Sequence, residues 1–376
     1  MSGAMSQVWG MINGLQIIVN FPLFRATFPD LSGMMVESLI TIATFDVLPS
    51  GDVIDETLLP PQDDDQDMEK FQEIGFESNY MIINLGTMFL MFVIMLTIPA
   101  CLICTGPCRQ CWPWLDRKHR ATKTNLQGNA WIRFIMEGSL DIAICCSLNY
   151  IYMTTLNGGL KWETIFQIVN NSAFIVLATG VGIFPIWAIY FYCKNFDKWE
   201  DEEWEEKYGA ALEGLKKDKR SALAYPMIFM IRRFALVIIV TVARHRLFVQ
   251  IPTMVFFSAI QIGYLTSFVP SEETLLMKLD IFNEFTTVLL VDTLLIFSDG
   301  NPSLFDLEAD SLFLACLFGN LCVHIFFLIK SSVVSVKESC KKRQKEGKKF
   351  CCFGGRKTSK APQVDGEVIE VKTLKQ

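Results

Sequence analysis

KYGAALEGLKKDKRSALAYPMIFMIRRFALVIIV, residues 207–240, runs from a charged amphipathic segment into an apolar stretch without a break. Arg232 and Arg233 lie inside that apolar stretch. A basic segment that leads directly into a run of bilayer length marks the edge of a membrane span. Two arginines within such a run are costly to bury, about 2.5–3.5 kcal/mol each on insertion scales, and predict partners on neighbouring helices.

The composition agrees with a membrane reading. The chain has 376 residues, of which 51% are apolar and 30 are Phe, and its mean hydropathy is +0.32. A soluble domain has no use for that much apolar surface. Its net charge of −6 is unevenly spread. Acidic residues crowd the first 80 positions and basic ones the last 45. The basic residues flank apolar runs or lie in a tail, which excludes a nucleic-acid-binding face. The first positive charge is Arg25, so no basic leader region and no signal peptide are expected.

Outward from 207–240, seven strong apolar runs are predicted to span: 80–104, 131–153, 164–193, 223–243, 249–268, 279–298 and 310–330. Each is close to the ~20 residues a bilayer core requires. Ahead of them stand two apolar helices, interfacial or re-entrant, within residues 1–48. The first, 7–24, sets Asn13, Gln16 and Asn20 on one face by steps of three and four, which fits a helix in the interface or one packed on other spans; a full span is the alternative. The second, 31–45, is interrupted by Glu37. Residues 49–79 form an acidic loop without EF-hand spacing, read as a solvated linker rather than a cation site. The fold class is therefore all-α, a polytopic transmembrane helix bundle. Its seven-span domain is 80–330, and a basic tail, 331–376, follows. Within that domain an amphipathic elbow over 197–222 carries Trp199, Trp204, Tyr208, Leu212 and Leu215 at near-helical spacing, and is expected to lie along the inner leaflet.

Lys and Arg set the orientation. With the N-terminus extracytoplasmic and Lys330 counted with the tail, the segments placed inside hold 26 Lys+Arg and those placed outside hold 5. All twelve cysteines then fall in spans or cytoplasmic segments, so no extracellular disulfide framework is expected.

Ionisable residues within the spans are the most informative chemistry. Arg133, Glu137 and Asp141 recur at steps of four in the second span, so Arg133 and Glu137 can pair. Asp280 and Glu284 repeat that step in the sixth span, with Asp292 two turns on. The simplest expectation is a buried network joining Arg232 and Arg233 to these acids, as a cation path, a gating cluster or structural glue. In the third span Asn170, Asn171, Gly180, Gly182 and Pro185 fit either a midplane helix break or close helix packing. Cys101, Cys104, Cys108 and Cys111 are weak zinc candidates, because zinc sites usually separate their two cysteine pairs more widely. Cys351 and Cys352, within a basic run, are the better lipidation candidates, and the surrounding cations would attract anionic lipid by about 1 kcal/mol each. The histidines are scattered and no hydrolase, zincin or phosphate-loop motif occurs, so no enzymatic activity or cofactor is expected.

Four stretches, QVWGMINGLQIIVNFPLF, ESLITIATFDVLP, NYMIINLGTMFLMF and EKYGAALEGLKKDKRSALAYPMIFMIRRFALV, resemble the membrane region of large ciliate-type multi-pass surface proteins, which is similar to the fungal TRP-like (transient receptor potential-like) family. The likeness covers roughly residues 6–330, and Tyr208, Gly209, Glu213 and Gly214 followed by Arg232-Arg233 carry it best. Members have a long ectodomain ahead of the Gln7 region, so this chain reads as a short paralogue or a fragment, and no ectodomain function is carried over. The resemblance implies a cation channel or channel-related subunit, homo-oligomeric, in a plasma or organellar membrane. Asp299, Asp306 and Glu308 would then form an acidic pore mouth, although the 298–310 loop is short for a TRP-type pore helix and filter. A non-conducting seven-span receptor or scaffold, and a lipid or solute transporter, are the competing expectations.

Overall fold

The computed structural model describes residues 3–43, 71, 76, 78, 80–105, 128–155, 159–298 and 306–345. Eleven helices are named here in chain order: α1 (Gly3–Ile18), α2 (Asp30–Ala43), α3 (Met81–Leu85), α4 (Thr87–Thr105), α5 (Asn129–Thr155), α6 (Ile165–Lys194), α7 (Glu202–Tyr208), α8 (Tyr225–Val242), α9 (Leu247–Phe268), α10 (Thr274–Thr293) and α11 (Asp306–Lys345). No β-strand occurs among the described residues. Five helical segments are long and apolar enough to cross a bilayer: 129–154, 165–194, 220–242, 247–268 and 308–334. This is the make-up of a membrane-embedded helix bundle.

Two of the seven predicted runs differ from a simple span. The run 80–104 is divided at Gly86, whose φ of 44° ends α3 and restarts the chain as α4. The run 279–298 forms α10, whose Lys278, Asp280, Glu284 and Asp292 make it polar for a spanning helix.

Residues 1–331 form one compact unit, and 332–376 a second, described only over 332–345, the end of α11. Within the first, α8 packs on α5, α6 and α9, while α10 packs on α9 and α1. α1 is not laid on the surface: Leu15, Gln16, Ile17, Ile18 and Val19 are buried, as are Asn20 and Phe21 in the turn that follows. The segment is packed along other helices over its length, from Gly10 beside Asp280 near the start of α10 to Arg25 beside Gln250 near the start of α9. Gly14 permits it, since a Cβ there would stand 3.2 Å from Asn283 of α10.

α6 begins at a capping box, in which Thr164 Oγ1 accepts from the Gln167 N–H and the Gln167 side chain accepts from the Thr164 N–H. One stripe of α6 is buried, from Asn170 through Leu177, Val181 and Phe184 to Tyr192, while Ile165, Ile186 and Tyr190 are exposed. Exposed apolar side chains cost nothing against lipid tails, which explains a helix that is apolar on every face. Gly180 and Gly182 lie on the exposed side, where an added Cβ would meet nothing among the described residues. Asn170 instead binds across elements, its Oδ1 accepting from the Ile82 N–H at 3.2 Å and its Nδ2 donating to Asn149 at 2.9 Å.

The 197–222 segment is not one continuous helix. It is a series of short helical turns, Phe196–Lys198, α7, Gly209–Leu212 and Arg220–Ala224, folded against protein. Its Trp199, Ala211, Leu212 and Leu215 join Ile132, Phe184 and Tyr192 in a second buried cluster. Asn129 fastens it from α5, donating to the Glu206 carbonyl and accepting from the Ala210 N–H at 2.8 Å. Tyr192 of α6 donates to the Tyr208 carbonyl at 2.8 Å. The backbone of 214–216 pairs with 270–272, where Val269 ends α9 at a φ of 46°, a left-handed turn unusual for a β-branched residue. On the exposed edge of α7, Glu203 accepts a hydrogen bond from Lys207 and holds its ammonium above the ordinary pKa.

Candidate functional site

Sequence places Arg232 and Arg233 on consecutive positions, so they leave α8 about 100° apart. The structure gives them different surroundings. Arg232 is 2% exposed and forms a salt bridge with Glu284 of α10, also buried. Its Nη2 donates to Ser258 of α9 at 3.2 Å. This one pair ties α8, α9 and α10 together.

Arg233 is fully buried, at 0% exposure. Its contacts are mostly neutral acceptors. Nη1 donates to the Met136 carbonyl at 2.9 Å and Ser139 Oγ at 3.3 Å; Nη2 donates to Asn13 Oδ1 at 2.9 Å and to Gln16 Oε1. The guanidinium also lies 4.4 Å from the Phe229 ring centroid. Asp141 and Glu137 of α5 add electrostatic attraction. The amide face predicted on residues 13–20 thus acts as the wall that solvates a buried arginine.

Arg133 does not pair with Glu137. It stands half-exposed at the elbow end of α5 and forms a salt bridge with Glu213 of the elbow. A cation N-terminal to an acid is the weaker i,i+4 order, and Glu213 reaches Arg133 from another element. Asp280 meets no arginine either: its carboxylate accepts from the Tyr225 hydroxyl at 2.8 Å. Asp292 is exposed, away from this network, and Glu308 is exposed on α11. Asp299 and the side chain of Asp306 lie outside the described residues, as do Cys108, Cys111, Cys351, Cys352 and the side chain of Cys104; Cys101 is exposed. No metal-holding group of acids, histidines or cysteines occurs among the described residues.

These charges surround a partly open cavity of about 230 Å³ beneath the elbow. Arg133, Glu137 and Glu213 line it beside the elbow; Asp280, Glu284 and Arg232 line it farther in. Several residues of this site were not singled out from sequence. Gln261 and Ser258, three residues apart on α9, are buried polar positions in an otherwise apolar run, a periodic signal that was there to find. Asn283 was hidden between Asp280 and Glu284. Its Oδ1 accepts from Asn320 at 2.9 Å and contacts His324 Nε2 at 2.6 Å, and its Nδ2 donates to the Gly10 carbonyl at 3.4 Å, joining α10 to α11 and α1. His324 accordingly sits in a packed polar node.

The arrangement can hold charge in a low-dielectric bundle, connect it to a cavity, and link that cavity to a peripheral elbow. Comparison with protein-family models, with curated proteins and with solved structures finds no match for this chain.

Proposed function

We propose that the protein is a multi-pass membrane protein of TRP-like type, acting as a cation channel or channel-related subunit whose charged core controls cation movement. The observation that carries this reading is the buried Arg232–Glu284 pair at the wall of a charge-lined cavity beneath the elbow. An ion pair inside a membrane bundle is expensive to keep and easily rearranged by a nearby charge, which suits a gate. In this reading the chain crosses seven times from residue 80 onward, with 81–105 and α10 completing the five clear spans. The elbow and the basic tail are cytoplasmic, and the membrane is plasma or organellar. Homo-oligomers form the conducting assembly, and the tail contacts anionic lipid. The resemblance of residues 6–330 to the membrane region of large ciliate-type surface proteins, themselves similar to the fungal TRP-like family, supports the same class.

A non-conducting receptor or scaffold is the second reading. It is favoured by the contacts of Arg232 and Arg233, which are supplied within one chain and knit five helices together, α1, α5, α8, α9 and α10. Purified protein in planar bilayers separates the two. The channel reading expects cation currents altered by Glu284→Gln; absence of conductance under voltage, ligand and tension stimuli supports the scaffold.

A further inference from the structure

The cavity beneath the elbow is chemically incomplete. Four carboxylates line it, from Glu137, Glu213, Asp280 and Glu284, against the two guanidinium groups of Arg133 and Arg232. Arg133 is taken by Glu213 and Arg232 by Glu284, which leaves the carboxyl groups of Glu137 and Asp280 on the walls. Neither of these two acids has a salt bridge among the described residues.

A second observation points the same way. Glu284 Oε2 and Gln261 Oε1 are buried on this wall without a hydrogen-bond partner. Their residues are 6% and 1% exposed. A single unpartnered donor, Arg232 Nε, shares the wall. Two orphaned acceptors against one donor, beside two carboxyl groups outside the ion pairs, call for a ligand that carries N–H groups.

We propose that this cavity is a binding site for a small organic cation, an ammonium or a guanidinium. Asp280 and Glu137 supply the counter-charge, and Glu284 and Gln261 accept its N–H groups. The walls do not suit a directly ligated inorganic ion, because no three acids converge closely enough among the described residues. At about 230 Å³ the space is small beside the usual range for drug-sized ligands, yet ample for a short amine. Tyr225 and Phe229 on the wall offer rings to a cation. The inference deepens the proposed function at the same site and rests on that reading only for the side from which the ligand arrives.

The test is titration calorimetry and thermal shift on the purified full chain in lipid nanodiscs, with ethylammonium and methylguanidinium as probes. Saturable binding is expected for one or both, with none for neutral methylurea at the same concentration. Asp280→Asn, which still accepts from Tyr225, is expected to weaken binding at least about tenfold, the low end for removing one charge from a buried charge-assisted contact. Glu137→Gln, at a half-exposed position, is a second variant expected to weaken it in a folded background, and Asp292→Asn is expected to leave it unchanged. Equal saturable binding of potassium ion or methylurea overturns the proposal, as does wild-type affinity in both cavity variants. Binding without conductance contradicts the channel reading alone; conductance without saturable probe binding contradicts this inference alone.

Discussion

Arg233 shows how a bundle can bury a guanidinium group among neutral acceptors as well as acids. Carbonyls of α5, Ser139, and the amides of Asn13 and Gln16 take the place of water. Lys in its place would present a compact point charge rather than a planar fork, and could not reach both walls. Arg233→Lys is therefore expected to lower stability by about 2 kcal/mol or more, read from thermal unfolding in detergent. Arg232 and Glu284 should behave as a coupled unit. Arg232→Met and Glu284→Leu alone each leave a buried charge uncompensated and are expected to cost about 3–5 kcal/mol, whereas the double variant should recover most of that loss. Additive losses in that cycle would show that the pair is not coupled. The Arg232–Glu284 contact was legible in the sequence, because ionisable residues inside apolar runs have few places to go. The Arg233 cradle was not, since it is built largely from backbone carbonyls and uncharged amides, and nothing in residue type marks a carbonyl as a partner.

Helices were the easiest elements to read, because apolar runs of bilayer length leave little freedom in register. The elbow was harder. Its spacing of Trp199, Trp204, Tyr208 and Leu212 shows that one side is apolar, but lipid and protein present the same demand for apolar contact. In the structure α5, α6 and the 270–272 segment hold the elbow by side-chain and backbone hydrogen bonds. Gly128 is the tightest point of that attachment, since a Cβ there would stand 2.1 Å from the Lys207 carbonyl. Gly128→Ala must displace elbow backbone, and a cost of about 1–3 kcal/mol is expected, seen as faster proteolysis within 202–224 while the spanning helices stay protected. Breaking the half-exposed Arg133–Glu213 bridge should matter much less to stability, by at most about 1 kcal/mol. The glycines of α6 are ambiguous for a related reason: a small residue in a spanning helix permits close approach but does not require a neighbour from the same chain, and none of the described residues supplies one.

At the scale of the molecule, five helices long and apolar enough to span, with one another's polar stripes turned inward, explain the composition. α6 and α11 bury only narrow stripes and present wide apolar faces outward, as bilayer-facing helices do. The proposed topology predicts that a membrane-impermeant maleimide added from outside leaves Cys351 and Cys352 unlabelled, and that permeabilisation exposes any free thiols there; labelling of intact cells would reverse the orientation. How charge is arranged within the bundle could be anticipated only in outline, because hydropathy identifies which runs span but not which faces meet. The central claim is that the Arg232–Glu284 pair beside the cavity controls cation movement. Planar-bilayer recording of the reconstituted wild type, Glu284→Gln, and the Arg232→Glu/Glu284→Arg exchange tests it directly. Cation currents that Glu284→Gln alters and the exchange restores are the predicted result, and currents indifferent to all three, or no conductance in the wild type under any stimulus, would contradict it.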